Sequence, residues 1–251
     1  SKFLRYGGTG TERVVKELSN LFPTARILRM DNDTTQSKEG HYKILKEFGE
    51  RKADILVGTQ MIAKGHDFPS VTLVGILDAD MSLYFSDFRA SERTFQLITQ
   101  VSGRSGRADD KGKVVLQTYS PKNTVLSFAT RYNYEGFFNY ENIIRKASHF
   151  PPYADIVRVM VESSDEKKAI EALKGVFFAC KEVYDKYQQS FVYFDKMKSP
   201  VKRVKNKYRF QVLARIVSNR QEIEDEFYEI SIKYNKGLVS SYVEVNPSSM
   251  N

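Results

Sequence analysis

QLITQVSGRSGR, at residues 96–107, is the stretch from which the fold of this chain is inferred. Polar side chains recur here at spacings of three and four, on one face of a helix. They are Arg93, Gln96, Gln100, Arg104 and Arg107. Phe95, Ile98 and Val101 fall elsewhere around the helix and can pack into a core. Gly103 and Gly106 have no Cβ, so the backbone beside each arginine can approach another surface. The pattern predicts a helix end that faces phosphate, because a guanidinium offers a planar set of donors to phosphoryl oxygens.

The spacing Q-x-x-G-R-x-x-R is more specific than an isolated arginine pair, which would usually be a solvated surface feature. It is formed by Gln100, Gly103, Arg104 and Arg107. This spacing resembles the motif that ends the second motor lobe of superfamily 2 helicases. The resemblance implies that Arg104 and Arg107 are arginine fingers that reach ATP held by the other lobe. It also implies a catalytic role for Gln100 and a role for Gly103 in coupling to ATP.

Size and composition limit the classes of protein to which this chain can belong. The 251 residues suffice for one large or two modest domains, and 41% hydrophobic with 28% charged residues is ordinary for a soluble globular protein. No apolar run approaches the roughly 20 residues of a membrane span, so we expect a cytoplasmic protein without a membrane partner. The single cysteine, Cys180, excludes an internal disulfide and is expected to be buried. The net charge of +8 favours a polyanionic partner.

Strand-like and helical segments alternate through residues 1–125. This alternation predicts an α/β domain with a parallel sheet covered on both faces. Thr9 and Glu12 have the spacing of a capping box at the start of the first helix. The predicted strands lie at 26–30, 54–57, 71–77 and 113–119, and the later helices at 37–48 and 88–102.

The loop VGTQMIAKGHDFP, at residues 57–69, directly follows a predicted strand. Backbone amides and the Thr59 hydroxyl can donate hydrogen bonds to a nucleic-acid phosphate at such a position. The loop resembles motif V of superfamily 2 helicases. That resemblance assigns Thr59 to DNA binding, and Gly65 and Asp67 to ATP coupling.

Two longer stretches narrow the family. They are ADILVGTQMIAKGHDFPSVTLVGILDAD at 53–80 and DFRASERTFQLITQVSGRSGR at 87–107. Together with LRYGGTGTERV, RMDNDTT and FPPY elsewhere in the chain, they resemble the bacterial primosomal replication-restart helicases. That family implies a RecA-like motor lobe and a 3′ to 5′ ATP-dependent DNA helicase that recognises stalled forks and assembles the primosome.

The resemblance also implies that this chain is only part of such a helicase. The Walker motifs, the magnesium carboxylate and the zinc-binding cysteines of the family are absent from it. ATP and Mg²⁺ would be shared with the missing first lobe, and zinc would belong to the full-length protein only. The chain by itself is therefore expected not to hydrolyse ATP.

The second half predicts a different architecture. Aromatic and aliphatic residues at helical spacing predict a connecting helix over 126–150, which Pro151 and Pro152 end. Residues 151–251 then follow a β-α-β-β-α-β pattern, typical of an α+β ferredoxin-like domain. The predicted strands lie at 156–162, 190–195, 208–217 and 239–245, and the predicted helices at 165–187 and 220–234. That fold hosts many functions and does not define one.

Seven basic residues and no acidic one occur between positions 196 and 209. Five of them are candidate DNA-binding residues: Lys198, Lys202, Arg203, Lys205 and Lys207. A solvated hairpin loop is the alternative. Phosphate binding is favoured because the charges are concentrated on one segment beside a motor that handles DNA.

The resemblance implies several partners. They are forked and single-stranded DNA, single-stranded DNA-binding protein and other primosome proteins, in the cytoplasm with the nucleoid. Two alternatives remain open: a superfamily 2 translocase that moves on duplex DNA without unwinding it, and a non-enzymatic nucleic-acid-binding adaptor with a degenerate motor lobe. An upstream sequence that carries GK[ST] and D-E-x-H would exclude the adaptor.

Overall fold

The chain divides into two compact units. The first comprises Ser1–Phe85 and Arg89–Phe137, and the second comprises Ser86–Phe88 and Phe138–Asn251. The short segment Ser86–Phe88 therefore belongs to the second unit although its sequence neighbours belong to the first. The predicted domain limits at residues 125 and 150 stay predictions. The computed structural model describes residues 10–31, 38–63, 68, 70–103 and 112–250.

The first unit has mixed α/β content with parallel strand pairing. β1 pairs with β2 and β3 with β4, both in parallel. The α/β prediction is confirmed at this level, but the described strands form two separate two-stranded sheets rather than one. The elements are α1 Thr11–Leu21, β1 Ile27–Met30, α2 Lys38–Gly49, β2 Ile55–Gly58, β3 Leu73–Ile76, α3 Ala90–Ser102, β4 Lys113–Leu116 and α4 Thr124–Thr130. The next helix, α5 Tyr134–Ala147, begins in the first unit and belongs to the second from Phe138 onward.

Two helix predictions need correction. Gly10 is the N-cap of α1 and supplies no side-chain hydrogen bond, so Glu12 is the second helical residue rather than the third that a capping box requires. Thr9 lies outside the described residues. The segment predicted as one connecting helix holds the end of α4 and the whole of α5. Tyr132 has a left-handed φ of 53° there, and the Asn133 side chain accepts a hydrogen bond from Gly136 N, which starts a new helix.

The second unit places a four-stranded antiparallel sheet against two helices. The sheet order is β6-β7-β5-β8. Val157, Val159 and Val161 of β5 pack with residues of both helices in one core. The elements are β5 Asp155–Ser163, α6 Glu166–Lys186, β6 Phe191–Val204, β7 Lys207–Ile216, α7 Arg220–Tyr234 and β8 Val239–Val245.

Cys180 of α6 lies in this core and is fully buried, as predicted. Burial raises the pKa of its thiol because the thiolate would lose its hydration. Cys180 therefore acts as a small apolar side chain of the core.

The basic segment is a pair of strands rather than a loop. β6 continues to Val204, well past the predicted strand end at residue 195. Lys205 and Asn206 both have positive φ, 47° and 64°, as a two-residue hairpin turn with the twist of its strands requires. The pairing shifts register between Lys198 and Arg203, so β6 bulges there. We call the hairpin formed by residues 196–209, at the joined ends of β6 and β7, the basic arm.

Candidate ATP-coupling and nucleic-acid sites

Helix α3 has the two faces that its sequence predicts. Phe95 and Ile98 are 5% and 2% exposed, whereas Gln96 and Gln100 lie on the surface. The Phe95 ring stacks on Phe137 with a centroid distance of 4.3 Å and an interplanar angle of 8°. The packed face anchors the helix in the first unit, and Gln100 is left on the outer face near the helix end.

The end of α3 is capped by its own backbone. Gly103 is the C-cap, and its amide donates to the Thr99 carbonyl at 3.0 Å. A Cβ at Gly103 would meet that carbonyl oxygen at 3.4 Å, an ordinary contact. Within the described chain the glycine is therefore not needed for packing. Arg104 and Arg107 lie outside the described residues, so their predicted roles stay predictions.

The loop after β2 begins with an exposed Thr59. The Thr59 carbonyl accepts a hydrogen bond from Ile62 N at 3.1 Å, at the start of the 3-10 turn Gln60–Ala63. That turn lies against α3, so Thr59 and Gln100 belong to neighbouring elements. Gly65 and Asp67 lie outside the described residues. The turn that follows Thr59 therefore contacts the helix that carries Gln100.

Gly58 directly precedes this loop, at a position with no room for a Cβ. A Cβ at Gly58 would lie 2.3 Å from the Met30 carbonyl oxygen of the neighbouring strand, which cannot move without breaking the β1–β2 pair. We expect Gly58→Ala to lower the free energy of unfolding by about 1–3 kcal/mol, the usual effect of overpacking. Urea unfolding of the variant measures this change.

Gly75→Ala is the matched control for that prediction. Gly75 is also a strand residue, in β3, and a Cβ there meets nothing within 4 Å. Its unfolding curve should stay close to that of the parent. Equal losses for both variants would show that the contact with the Met30 carbonyl oxygen does not determine the cost.

Asp80 is a buried structural residue of this region to which neither predicted motif assigns a role. It is 4% exposed and accepts hydrogen bonds from Thr118 Oγ1 and Tyr119 N, both at 2.6 Å. These bonds tie the chain after β4 to the 3-10 turn Met81–Tyr84, which packs beside α3. A buried carboxylate that accepts two hydrogen bonds stabilises this connection.

The basic arm carries its charges in two different environments. The five predicted DNA-binding residues are all exposed: Lys198, Lys202, Arg203, Lys205 and Lys207. Arg209 instead pairs with Glu162 at 3.0 Å, and Lys196 lies 4.2 Å from the Phe177 ring centroid. Arg209 therefore contacts β5, and Lys196, although its side chain is also exposed, contacts α6.

The strand register places the arm's charges on both of its faces. Arg203 pairs with Tyr208 and lies over its ring at 5.0 Å, whereas Lys207 pairs with Val204 and points to the opposite face. Lys205 occupies the turn between the strands. Cations that surround a narrow arm can contact phosphates on more than one side, which a flat basic patch cannot do.

The carboxylate partner of Arg209 also bonds to the adjacent strand. Tyr242 of β8 donates a hydrogen bond from its hydroxyl to Glu162 Oε1 at 3.0 Å. Burial, and then the negative charge of Glu162, raise the pKa of Tyr242. Arg209, Glu162 and Tyr242 therefore form one hydrogen-bonded group across β7, β5 and β8.

Neither a metal centre nor a membrane span is evident in the described ranges. Among those residues, no three His, Cys, Asp or Glu side chains come together as metal ligands would. None of the described helices is both long and apolar enough to cross a membrane.

Comparison with known proteins identifies relatives for the whole chain. Residues 9–109 match the helicase conserved C-terminal domain family. The chain is 41% identical to Replication restart protein PriA of Bacillus subtilis (strain 168), over 100% of this chain and 31% of the relative. It is 35% identical to the protein of that name from Synechocystis, over 87% of this chain and 26% of the relative. The counterpart in Chlamydia muridarum is 48% identical over 62% of this chain and 21% of the relative. The chain therefore spans about a third or less of these relatives.

Proposed function

From the premise that this chain belongs to the replication restart protein PriA family, we propose that it is the C-terminal part of an ATP-dependent DNA helicase. The helicase moves 3′ to 5′, recognises stalled replication forks and restarts replication by primosome assembly. The observation that carries this proposal is similarity along the entire chain, which includes the basic arm as well as the helicase domain.

The two units support a division into a motor lobe and an accessory domain. The first unit, with its parallel strand pairs, would be a RecA-like second motor lobe. The second would be a ferredoxin-like domain. In support, its elements run β-α-β-β-α-β, and both helices contribute to one core on one face of the antiparallel sheet.

The first unit would supply some of the residues of an ATP site, and the other motor lobe of the full-length protein would supply the rest. Gln100, Arg104 and Arg107 would be the catalytic residues of this chain, with Gly65, Asp67 and Gly103 coupling ATP to movement. The exposed Gln100 and the capped end of α3 at Gly103 fit this placement. ATP supplies the phosphoryl group, and the arginines would neutralise charge on its oxygens. Carboxylates of the first lobe would hold Mg²⁺.

DNA would contact both units. Thr59 would donate to the backbone of the tracked strand, and the five exposed cations of the basic arm would bind phosphates. Exposure of all five side chains supports this role. Forked and single-stranded DNA, single-stranded DNA-binding protein and other primosome proteins would be the partners, in the cytoplasm at the nucleoid. Zinc would belong to the full-length protein, with ligands outside this chain.

A comparison of ATP turnover by two proteins tests the proposal. The full-length protein should hydrolyse ATP and accelerate when forked DNA is added. The chain 1–251 alone should show no turnover, because phosphoryl transfer needs groups from both lobes. Steady-state ATPase assays with and without DNA measure this. Full-length protein without DNA-stimulated turnover would favour the adaptor hypothesis instead.

A further inference from the structure

Strand β8 forms one edge of the four-stranded sheet and, among the described strands, pairs only with β5. Just beyond the last pair, Asn246 N donates a hydrogen bond to the Ile156 carbonyl at 2.7 Å. Hydrogen-bonded and non-hydrogen-bonded pairs alternate in an antiparallel ladder, so every second residue of β8, from Glu244 back to Ser240, bonds to β5. The backbone groups of the alternate residues point outward: Ser241, Val243 and Val245. Outside the β5–β8 ladder, no described residue forms a backbone hydrogen bond with these three.

The opposite edge of the sheet, strand β6, has features that prevent pairing with another chain. Pro200 lacks a backbone N–H, the register shifts between Lys198 and Arg203, and exposed cations occupy the strand. Strand β8, VSSYVEV, contains no proline or lysine, and its pairing with β5 has no register shift. Its only charged residue, Glu244, is already paired with Arg158. A regular edge of this kind can accept an additional strand.

Helix α7 places two exposed apolar side chains beside this edge. Glu226 faces α6, because its carboxylate accepts a hydrogen bond from Lys186 at 2.7 Å. Tyr228 lies two residues further along α7, about 200° around the helix, and therefore on the side away from α6. Because α6 packs on β7 and α7 packs on β8, that side of α7 follows the outer edge of the sheet. Tyr228 and Ile232, one turn apart, are 56% and 49% exposed, and we call them the α7 ridge.

Carboxylates accompany the α7 ridge. Glu224 lies one turn before Tyr228, on the same side of α7. Burial, and then the negative charges of Asp155 and Asp225, raise the pKa of Glu224. Further carboxylates on α7 are exposed: Glu222, Asp225 and Glu229. The surface beside β8 is therefore apolar with an acidic border.

This charge distinguishes between possible occupants of the edge. A lysine or arginine of a partner would relieve the repulsion at Glu224, whereas the phosphates of DNA would increase it. Pairing of β8 with β8 of a second copy would bring two acidic α7 helices together. The acidic border therefore favours a basic segment of another protein over DNA or a second copy of this chain.

We propose that the outer edge of β8 and the α7 ridge form a docking site for an extended, basic and apolar segment of another protein. The segment adds a fifth strand to the sheet through hydrogen bonds with the outward backbone groups of β8. Its apolar side chains cover Tyr228 and Ile232, and a lysine or arginine pairs with Glu224. Docking at this edge requires neither ATP nor DNA, and β6, which carries part of the basic arm, lies at the opposite edge.

Fluorescence anisotropy of a labelled peptide with the full-length protein tests this proposal. The peptide has about ten residues, in which valine and threonine alternate between terminal lysines, as a short strand requires. It should bind the parent. The same peptide with proline at its two central positions should bind about tenfold more weakly or less, because proline cannot donate a backbone hydrogen bond.

Two protein variants test the side chains of the site. The double variant Tyr228→Ser/Ile232→Ser should raise the Kd for the valine–threonine peptide about tenfold or more, because it removes the apolar contacts. Glu224→Gln keeps the size of the side chain and should raise the Kd about two- to fivefold, the range of a surface ion pair. The matched control is Ile170→Ser/Phe178→Ser on α6, where the side chains are 37% and 62% exposed. Its Kd should stay within about twofold of the parental value.

Three results would overturn the proposal. The first is a parent that does not bind the peptide, or that binds it as tightly as the Tyr228→Ser/Ile232→Ser variant does. The second is self-association of the full-length parent that this variant loses in sedimentation equilibrium, which would identify a second copy as the occupant. The third is weaker binding of forked DNA by this variant but not by the α6 control, which would identify nucleic acid as the occupant.

Discussion

Arg104→Ala in the full-length protein is expected to lower DNA-stimulated ATP turnover by about 1,000-fold or more, the range that arginine fingers supply. Arg104 follows Gly103, the C-cap of α3, directly in the sequence. Its proposed partner is the charge that develops on the transferring phosphoryl group. The loss should therefore appear in kcat, with little change in DNA affinity. Arg107→Ala should have the same effect, and steady-state ATPase assays measure both.

Arg131→Ala is the matched control for the arginine variants. Arg131 is an exposed arginine of the same unit, at the C-cap of α4, and has no proposed role in turnover. Its removal should leave kcat at the parental value. If Arg104→Ala and Arg107→Ala both keep the parental kcat, neither side chain contributes to ATP turnover, and both are solvated surface residues.

Neutralisation of the basic arm should weaken DNA binding and flatten its dependence on salt. The variant changes four exposed cations to glutamine: Lys202, Arg203, Lys205 and Lys207. Removal of one cation–phosphate pair should lower the slope of log K against log salt by about 0.7 to 0.9, so removal of four would lower it by about 3. Fluorescence anisotropy on forked and single-stranded DNA over a salt series measures the slope.

A second variant with the same loss of charge controls for net charge. It changes four exposed lysines of α6 to glutamine: Lys167, Lys168, Lys174 and Lys181. Its slope should stay close to the parental one, because these lysines belong to a helix and not to the arm. Equal slopes for the arm variant, the α6 variant and the parent would mean that the arm is merely solvated.

The sequence predicted the elements whose side chains repeat at the period of their structure. Phe95 and Ile98 recur at helical spacing, and both are buried in α3. The predicted limits of α7 and β8 match those observed. Asn219 and Asn235 flank α7, and Asn246 follows β8. The parallel pairing of the first unit also followed from the alternation of strands and helices.

The sequence predicts a loop for the basic arm because the end of β6 forms a strand only through its pairing with β7. Lysines and arginines occupy both faces of β6 beyond residue 196, so no apolar alternation marks a strand there. The structure is imposed by hydrogen bonds to β7 and by the positive φ of Lys205 and Asn206. Strand pairing of this kind depends on tertiary context.

The start of α3 could not be predicted from local sequence for a related reason. Residues 88–102 have a continuous helical pattern, yet α3 begins at Ala90. Phe88 belongs to the second unit because it stacks on Phe150, which is far away in sequence. For the candidate ATP site, Gln100 and Gly103 are placed by the structure, while Gly65, Asp67, Arg104 and Arg107 keep the roles predicted from their motifs.

ATP-dependent strand separation by the full-length protein on a labelled forked DNA tests the proposed helicase function most directly. The unwinding should require ATP hydrolysis, proceed 3′ to 5′ and be lost in Arg104→Ala. ATP hydrolysis accompanied by movement along duplex DNA, with the strands still paired, would contradict it and identify a translocase.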